Sequence, residues 1–235
     1  MPDTQYRTDA PEIMDDFELE GEPLREALDS IADINRLLGG KKVTINGVRQ
    51  LLSGRSQTAF TIADVGCGNG DMLRELARYG RQNGLELTLL GIDANLFTIN
   101  YARSLSLEYP EIRYSCEDLF DPAFGTVQYD IVLCTLTLHH FSDDAILNLM
   151  RIFSKNATTG IVINDLHRSN IAYRLFGWIG WLFRLNQMSR ADGLTSILRG
   201  FKRSELEKYS EILMFTNYTI RWKWAFRYQW IIKTI

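Results

Sequence analysis

Cysteine is scarce in this chain of 235 residues, with only Cys67, Cys116 and Cys134 present. Their odd number and wide spacing match neither a zinc-binding pattern nor a disulfide framework. That fits a reducing compartment, and the expected location is cytoplasmic. Neither sign of charge is in excess: 26 Lys and Arg face 29 Asp and Glu, for a formal net charge of −3. A global basic field for holding nucleic acid is therefore missing. Long apolar runs are missing too. The most apolar one, Leu175 to Phe183, is bounded by Arg174 and Arg184 and is far too short to span a bilayer. The stretch from Met1 to Asp16 is acidic and lacks an apolar segment, so it does not read as a signal peptide. No repeat or low-complexity tract is visible. What remains is the composition of one α/β domain, large enough for a proper core.

What is present is an alternation of strand and helix signals. The first twenty or so residues look loosely structured. Pro23 then opens a helix whose Leu24, Leu28, Ile31, Ile34 and Leu38 share one stripe, and Gly39-Gly40 stops it. A short helix is expected over 45–52, capped by Thr44. Strands are expected over 60–65, 87–92, 112–115, 129–134 and 160–163. Helices are expected over 71–79, closed by Gly80, over 97–107, limited by Pro110, and after Ser142 as cap. Such alternation implies right-handed crossovers and a mostly parallel, doubly wound sheet. An aromatic-rich insertion over 169–200 breaks the rhythm, and a helix near 203–215 follows. Residues 218–224 and 228–232 read as an antiparallel strand pair at one edge of the sheet.

The sharpest motif is Asp64-Val65-Gly66-Cys67-Gly68-Asn69-Gly70, which ends the first strand of the alternation and leads into a helix near Asp71. Glycines let the backbone take positive φ and let a ligand approach closely. The helix start points free N–H groups at that ligand. Asp64, Asp93 and Asp118 each follow a strand, and ligands of open parallel sheets bind beyond those strand ends. Asp93 is placed to accept from both hydroxyls of a ribose. Asp118 can meet an adenine amine, and Asp64 can organise the loop and the ammonium of an amino-acid ligand. The glycine spacing differs from the Gly-x-Gly-x-x-Gly of dinucleotide enzymes.

With these residues, 58–168 resembles the class I, Rossmann-like methyltransferases that use S-adenosylmethionine (SAM). The glycine loop matches that family's first motif. Asp93, followed by Ala94, matches the second, and Asp118-Leu119 the third. Asp130 to His140 looks like the fourth, with backbone near Thr135 and Leu136 flanking the methionine part of the cofactor. The resemblance implies SAM as cofactor, S-adenosylhomocysteine (SAH) as product, and Asp64, Gly66, Cys67, Gly68, Asn69, Gly70, Asp93, Ala94, Asp118, Leu119, Thr135 and Leu136 as cofactor-binding residues. It also implies a Rossmann-like fold: a helical cap over 1–57, the core over 58–168, a helical insertion over 169–200, and a helix and strand pair over 201–235, all in one domain.

The acceptor side is read from histidine. If the acceptor is a hydroxyl it must lose a proton, and imidazole is suited to take one near neutral pH. His139, His140 and His167 all follow expected strands, so each is a candidate catalytic residue. His139 can equally shape the pocket wall. Asp165 can orient His167, and Arg168 can hold an acidic acceptor, or both can belong to a helix start. The segment from Tyr173 to Phe183 reads as a lid over an apolar acceptor, an interface, or core. Tyr6, Arg7, Met14 and Asp15 read as a closing flap or as a free tail. No metal site is expected. The function that fits best is methyl transfer to a small, hydrophobic acceptor, on oxygen by preference and on carbon as an alternative. A nucleic-acid methyltransferase is second, although the Asn/Asp-Pro-Pro-aromatic motif of enzymes acting on base amines is replaced by Thr135-Leu136-Thr137-Leu138. A dinucleotide-dependent oxidoreductase is third. The expected partner is a small-molecule acceptor, with neither nucleic acid nor stable membrane insertion, and a homodimer remains open.

Overall fold

The structure is a computed structural model that describes residues 2–121, 126–182 and 185–234, and no side chain at Leu182. Met1, Phe183 and Arg184, which bound two of the segments read above, lie outside the described residues. The strands are β1 (Ala59–Val65), β2 (Glu86–Asp93), β3 (Ile112–Cys116), β4 (Tyr129–Thr135), β5 (Ala157–Leu166), β6 (Tyr218–Lys223) and β7 (Arg227–Lys233). They form one sheet in the order β3-β2-β1-β4-β5-β7-β6. The β1–β2, β1–β4, β2–β3 and β4–β5 pairs are parallel, whereas β7 is antiparallel to both β5 and β6. Strand order reverses between β1 and β4, so the ends of those strands diverge and leave a crevice.

Strand residues alternate between two cores, as the pleat requires. On one face Ile62, Ile131, Leu133 and Val162 pack with α2 (Gly40–Leu52), α3 (Asp71–Asn83) and Ile99 of α4 (Leu96–Leu105). On the other, Ala63, Val132, Ile161, Ile163 and Trp230 pack with α5 (Asp143–Asn156) and α8 (Arg203–Ile212). Both faces are covered, so the central strands are apolar without alternation. Among the described residues, no helix is long and apolar enough to cross a membrane.

Several expectations need correction. The helix expected from Ile45 starts at Gly40, with Gly39 rather than Thr44 as its cap. Thr44 instead sits buried inside α2, its hydroxyl bonded to Thr135 and Asn164. Helix α3 runs past Gly80 to Asn83. The insertion is two helices, α6 (Asn170–Leu182) and α7 (Gln187–Arg199). Helix α6 has two different faces: Ala172, Phe176 and Ile179 turn to an internal cavity, whereas Trp178 and Trp181 are exposed. The N-terminal stretch is not loose. It forms an ordered strap held by three anchors. Arg168 Nε and Nη2 donate to the carbonyls of Thr4 and Gln5, each at 3.1 Å. Arg7 donates to the carbonyls of His139 and Phe141 at 2.8 Å and pairs with Asp143 at 2.7 Å. Asp192 of α7 accepts from the amides of Ile13 and Met14 at 2.8 and 3.1 Å. The strap then leads into α1 (Glu22–Leu37).

The β5–β7 pairing is tight at Gly160, opposite Lys233. A Cβ there would stand 2.4 Å from the Ile232 carbonyl oxygen and 2.7 Å from Leu51. Backbone cannot yield cheaply, so Gly160→Ala should destabilise the protein by about 1–3 kcal/mol. Urea denaturation monitored by tryptophan fluorescence checks this, and an unchanged midpoint would contradict the register.

Candidate active site

Beyond the C-terminal ends of β1, β2 and β4 lies a cavity of about 820 Å³. The strap supplies Glu12, Met14, Asp15 and Phe17 to its wall, α1 supplies Leu24, Leu28 and Asn35, and α6 and α7 supply Phe176, Ile179, Asp192 and Ile197. Of the twelve residues expected to bind cofactor, eleven line this space: Asp64, Gly66, Cys67, Gly68, Asn69, Asp93, Ala94, Asp118, Leu119, Thr135 and Leu136. Gly70 does not. It turns the chain into α3 with φ +76°, against the Tyr114 ring.

The loop is built by backbone. Gly66 and Cys67 donate their amides to the Ile92 carbonyl at 2.8 and 3.0 Å, which ties the loop to β2. Gly66 has φ +69°, and a Cβ on it would stand 2.3 Å from the Thr137 hydroxyl. No other residue fits there. Asp93 holds the loop from the next strand: its carboxylate accepts from the Gly68 amide and the Asn95 amide, each at 3.1 Å. Burial raises its pKa, against the pull of these hydrogen bonds. Asp64 is more extreme. It is buried, its Oδ1 has no hydrogen-bond partner, and burial together with Asp71 and Asp93 pushes its pKa well above the usual carboxylate range. Asn69 donates to Asp29 at 3.0 Å, linking the loop to α1. Asp118 accepts from the Phe120 amide at 3.0 Å, and its neighbour Leu119 is buried. Leu136 carries φ +55°, a strained value for a branched residue, and its amide donates to the Asn164 carbonyl.

The histidines divide. His139 and His140 line the cavity. His139 is buried, and its Nδ1 meets Asp165 Oδ1 at 2.7 Å while its amide donates to Asp165 Oδ2 at 3.2 Å. Burial alone would raise the Asp165 pKa, but the His139 ring beside it outweighs burial and holds the carboxyl below its ordinary value. His139 Nε2 has no hydrogen-bond partner and stands 3.7 Å from Glu12 Oε1, which is also unpartnered. Burial raises the Glu12 pKa despite His140, Ser196 and Arg199 nearby. His140 Nδ1 meets Asp15 at 2.6 Å, and Arg199 Nη1 meets the same carboxylate at 2.6 Å.

His167 lies apart from the cavity, contrary to expectation. Its Nδ1 accepts from the Trp222 indole at 3.2 Å, and its ring lies against Phe226 and Tyr228. Burial, then Lys202 and Arg168, hold its pKa below the ordinary histidine value. It therefore accepts a hydrogen bond as a neutral ring and packs the β5–β7 junction. Asp165 orients His139 rather than His167. Arg168 is fully buried in the strap anchor and pairs with Glu205 at 2.5 Å, so it neither reaches the cavity nor lies on the surface.

Glu12, His139 and His140 form a group whose ligand atoms lie within 4.8 Å of one another. A cation there meets competition. Arg199 Nη1 stands 3.7 Å from Glu12 Oε1, and Asp15 already holds His140. Sequence reasoning did not find Glu12, Asp192, Arg199 or Arg227 as cavity or strap residues. One signal was available: Asp192, Ser196 and Arg199 fall at i, i+4 and i+7, a polar stripe on one face of α7.

Residues 62–159 match a family described as a methyltransferase domain. No curated protein matches this chain by sequence alone. Solved structures with similar folds include the plantazolicin methyltransferase BpumL in complex with SAH, at 18% identity and a TM-score of 0.65 over 88% of both chains. Another is magnesium protoporphyrin IX methyltransferase from Synechocystis PCC 6803 with bound SAH, at 17% identity and a TM-score of 0.56, covering 83% of this chain and 82% of that one. The plantazolicin methyltransferase BamL aligns at 14% identity and a TM-score of 0.65, over 88% of this chain and 90% of that one. Residues 62–159 are thus a methyltransferase domain, set in a Rossmann-like sheet and a fold shared with SAM-dependent methyltransferases solved with SAH.

Proposed function

We propose that this enzyme methylates an oxygen of a small, hydrophobic acceptor, with His139 taking the proton. The observation that carries the reading is continuity: the glycine loop and the His139–Asp165 pair open onto the same largely apolar cavity. Its volume lies within the range of small-molecule sites. The fold neighbours act on plantazolicin and on magnesium protoporphyrin IX, which supports a small-molecule acceptor.

The residues present suit SAM. Asp64 offers an unpartnered buried carboxyl oxygen to the ammonium of an amino acid. Gly66 leaves the space that a Cβ would fill. Asp93 is held by two amides and lines the cavity, where its carboxylate suits ribose hydroxyls. Asp118 and Leu119 would border the adenine, and Thr135 and Leu136 the methionine part. Bound SAM supplies a methyl group on a sulfonium, and in-line displacement passes that methyl to the nucleophile and leaves SAH. Asp165, held ionised by its neighbour, accepts the Nδ1–H of His139. That leaves Nε2 as the basic nitrogen, free to accept the proton of an acceptor hydroxyl. The strap and α7 supply part of the cavity wall and would limit water around a bound acceptor.

Transfer to carbon at the same site is the second reading, since Nε2 can take a proton from carbon as well. A nucleic-acid acceptor is disfavoured by the strap over the cavity and by the net charge of −3. The oxidoreductase reading is set aside by the methyltransferase domain.

Asp93→Ala should weaken SAH binding by about 1–3 kcal/mol, the scale of hydrogen bonds to a charged group. Calorimetry checks this, and unchanged affinity in the folded variant would refute the ribose assignment. His139→Ala should lower kcat by roughly 10²–10⁴-fold toward a hydroxyl acceptor drawn from phenols and polyketides, and leave SAH affinity within about twofold. A comparable loss of SAH affinity would mean that His139 serves the cofactor or the fold.

A further inference from the structure

Among the described residues, Arg227 is a buried charged group that the reaction proposed above does not use. It opens β7, is only 3% exposed, and lines the cavity. Neither Nε nor Nη1 has a hydrogen-bond partner. A guanidinium buried with two of its three nitrogens unpartnered is costly, and such groups are kept where something completes them. Burial lowers its pKa to about 10, with Asp165 pulling the other way, so it stays charged at neutral pH. Asp165 is not its hydrogen-bond partner, because that carboxylate is committed to His139 and to the Leu166 amide.

A second feature converges on the same spot. Gly40 begins α2, a helix of 13 residues. A Cβ on Gly40 would stand 2.9 Å from the Arg227 guanidinium carbon. The positive end of the helix therefore abuts the guanidinium. The nearest atom to that Cβ, at 1.8 Å, is the unpartnered Oδ1 of Asn35, so the guanidinium faces the cavity beside one neutral acceptor and its unpartnered nitrogens call for an anion. The planar fork of arginine matches a carboxylate.

We propose that Arg227, seated beside the start of α2, is a carboxylate-binding site within the cavity, and that the acceptor is a hydrophobic acid anchored there. The inference rests on the methyl-transfer reading above and names the acceptor class for it. Position favours the acceptor over the cofactor as the source of the carboxylate. In the sheet, β7 is separated from β1 by β4 and β5, about 14 Å away at ordinary strand spacing. The glycine loop leaves β1, whereas Arg227 stands beside Leu166, Trp224 and Phe226 at the acceptor end. The carboxylate would be the handle, and the methylated oxygen a separate group within reach of His139.

The probes are 2-naphthoate and its neutral counterpart 2-naphthamide, each titrated into the SAH-saturated enzyme. SAH and 5′-methylthioadenosine, which lacks the amino-acid end, are titrated in parallel. The wild-type enzyme should bind naphthoate about tenfold or more tighter than naphthamide, and added salt should narrow the gap. Arg227→Met should abolish that preference and leave naphthamide and SAH within about twofold, whereas Arg227→Lys should retain part of it. If Arg227→Met instead weakens SAH and spares 5′-methylthioadenosine, the carboxylate site stands and its occupant is the cofactor. If the wild-type enzyme shows no preference for the acid, and Arg227→Met changes neither SAH nor naphthoate binding, the proposal is overturned. Arg227 is then a counter-charge for Asp165. The wild-type comparison decides the acceptor arm even if the variants fail to fold. Failure of the wild-type enzyme to bind SAH at all would refute the methyl-transfer reading itself, a different result from loss of acid preference.

Discussion

Buried polar atoms left without a partner are the constraint around which this molecule is arranged. Asp64, Glu12, His139 and Arg227 each keep a buried polar atom without a partner, and all four line one cavity. Elsewhere buried charge is answered inside the chain. Arg168 is satisfied by Glu205 and by the carbonyls of Thr4 and Gln5. Arg199 meets Asp15 and the His140 carbonyl. Buried polar groups left unsatisfied cost about 1–3 kcal/mol each, more where they are charged. Their concentration beyond the C-terminal edge of one sheet marks the place where ligands complete the structure.

The strap is the second half of that arrangement. It brings Glu12 and Asp15 over the histidines. Arg7, Arg168 and Asp192 fasten it to three different elements. The acceptor end of the cavity is therefore made by residues from the first 20 positions, from α7, and from the turn before β7. In the proposed function, substrate choice and cofactor grip fall to separate parts of the chain. On that reading the glycine loop, β2 and β4 would grip the cofactor, and the strap, insertion and C-terminal hairpin would shape what it reacts with.

The cofactor half was legible because its signals are local. Glycine spacing and an acid at a strand end are consequences of one strand and its turn, so Asp64, Gly66 and Asp93 can be read without the fold. The doubly wound sheet followed from strand and helix alternation, and the terminal strand pair from its own pattern. The acceptor half was not legible, because its contacts span the chain. Nothing near Glu12 announces His139, 127 positions later. Asp165 was associated with His167, its neighbour along the chain. In the sheet β4 lies beside β5, and the segment after β4 brings His139 to Asp165 instead. Gly80 shows the same limit at smaller scale. It reads as a helix end, yet it lies within α3 where a Cβ would meet Leu87 at 2.9 Å. A glycine required by packing is indistinguishable in sequence from one required by a turn.

The most direct test of this account is calorimetric titration with SAH from about pH 4 to pH 8 in two buffers of different ionisation enthalpy. Burial raises the Asp64 pKa in the free protein, and an arriving ammonium favours its ionised form, so binding draws a proton off Asp64 over part of that range. The account predicts micromolar binding with net proton release, affinity that rises with pH, and loss of the released proton in Asp64→Asn. Binding with no proton exchange, or release that persists in Asp64→Asn, would contradict the claim that this buried carboxyl awaits the ligand's charge.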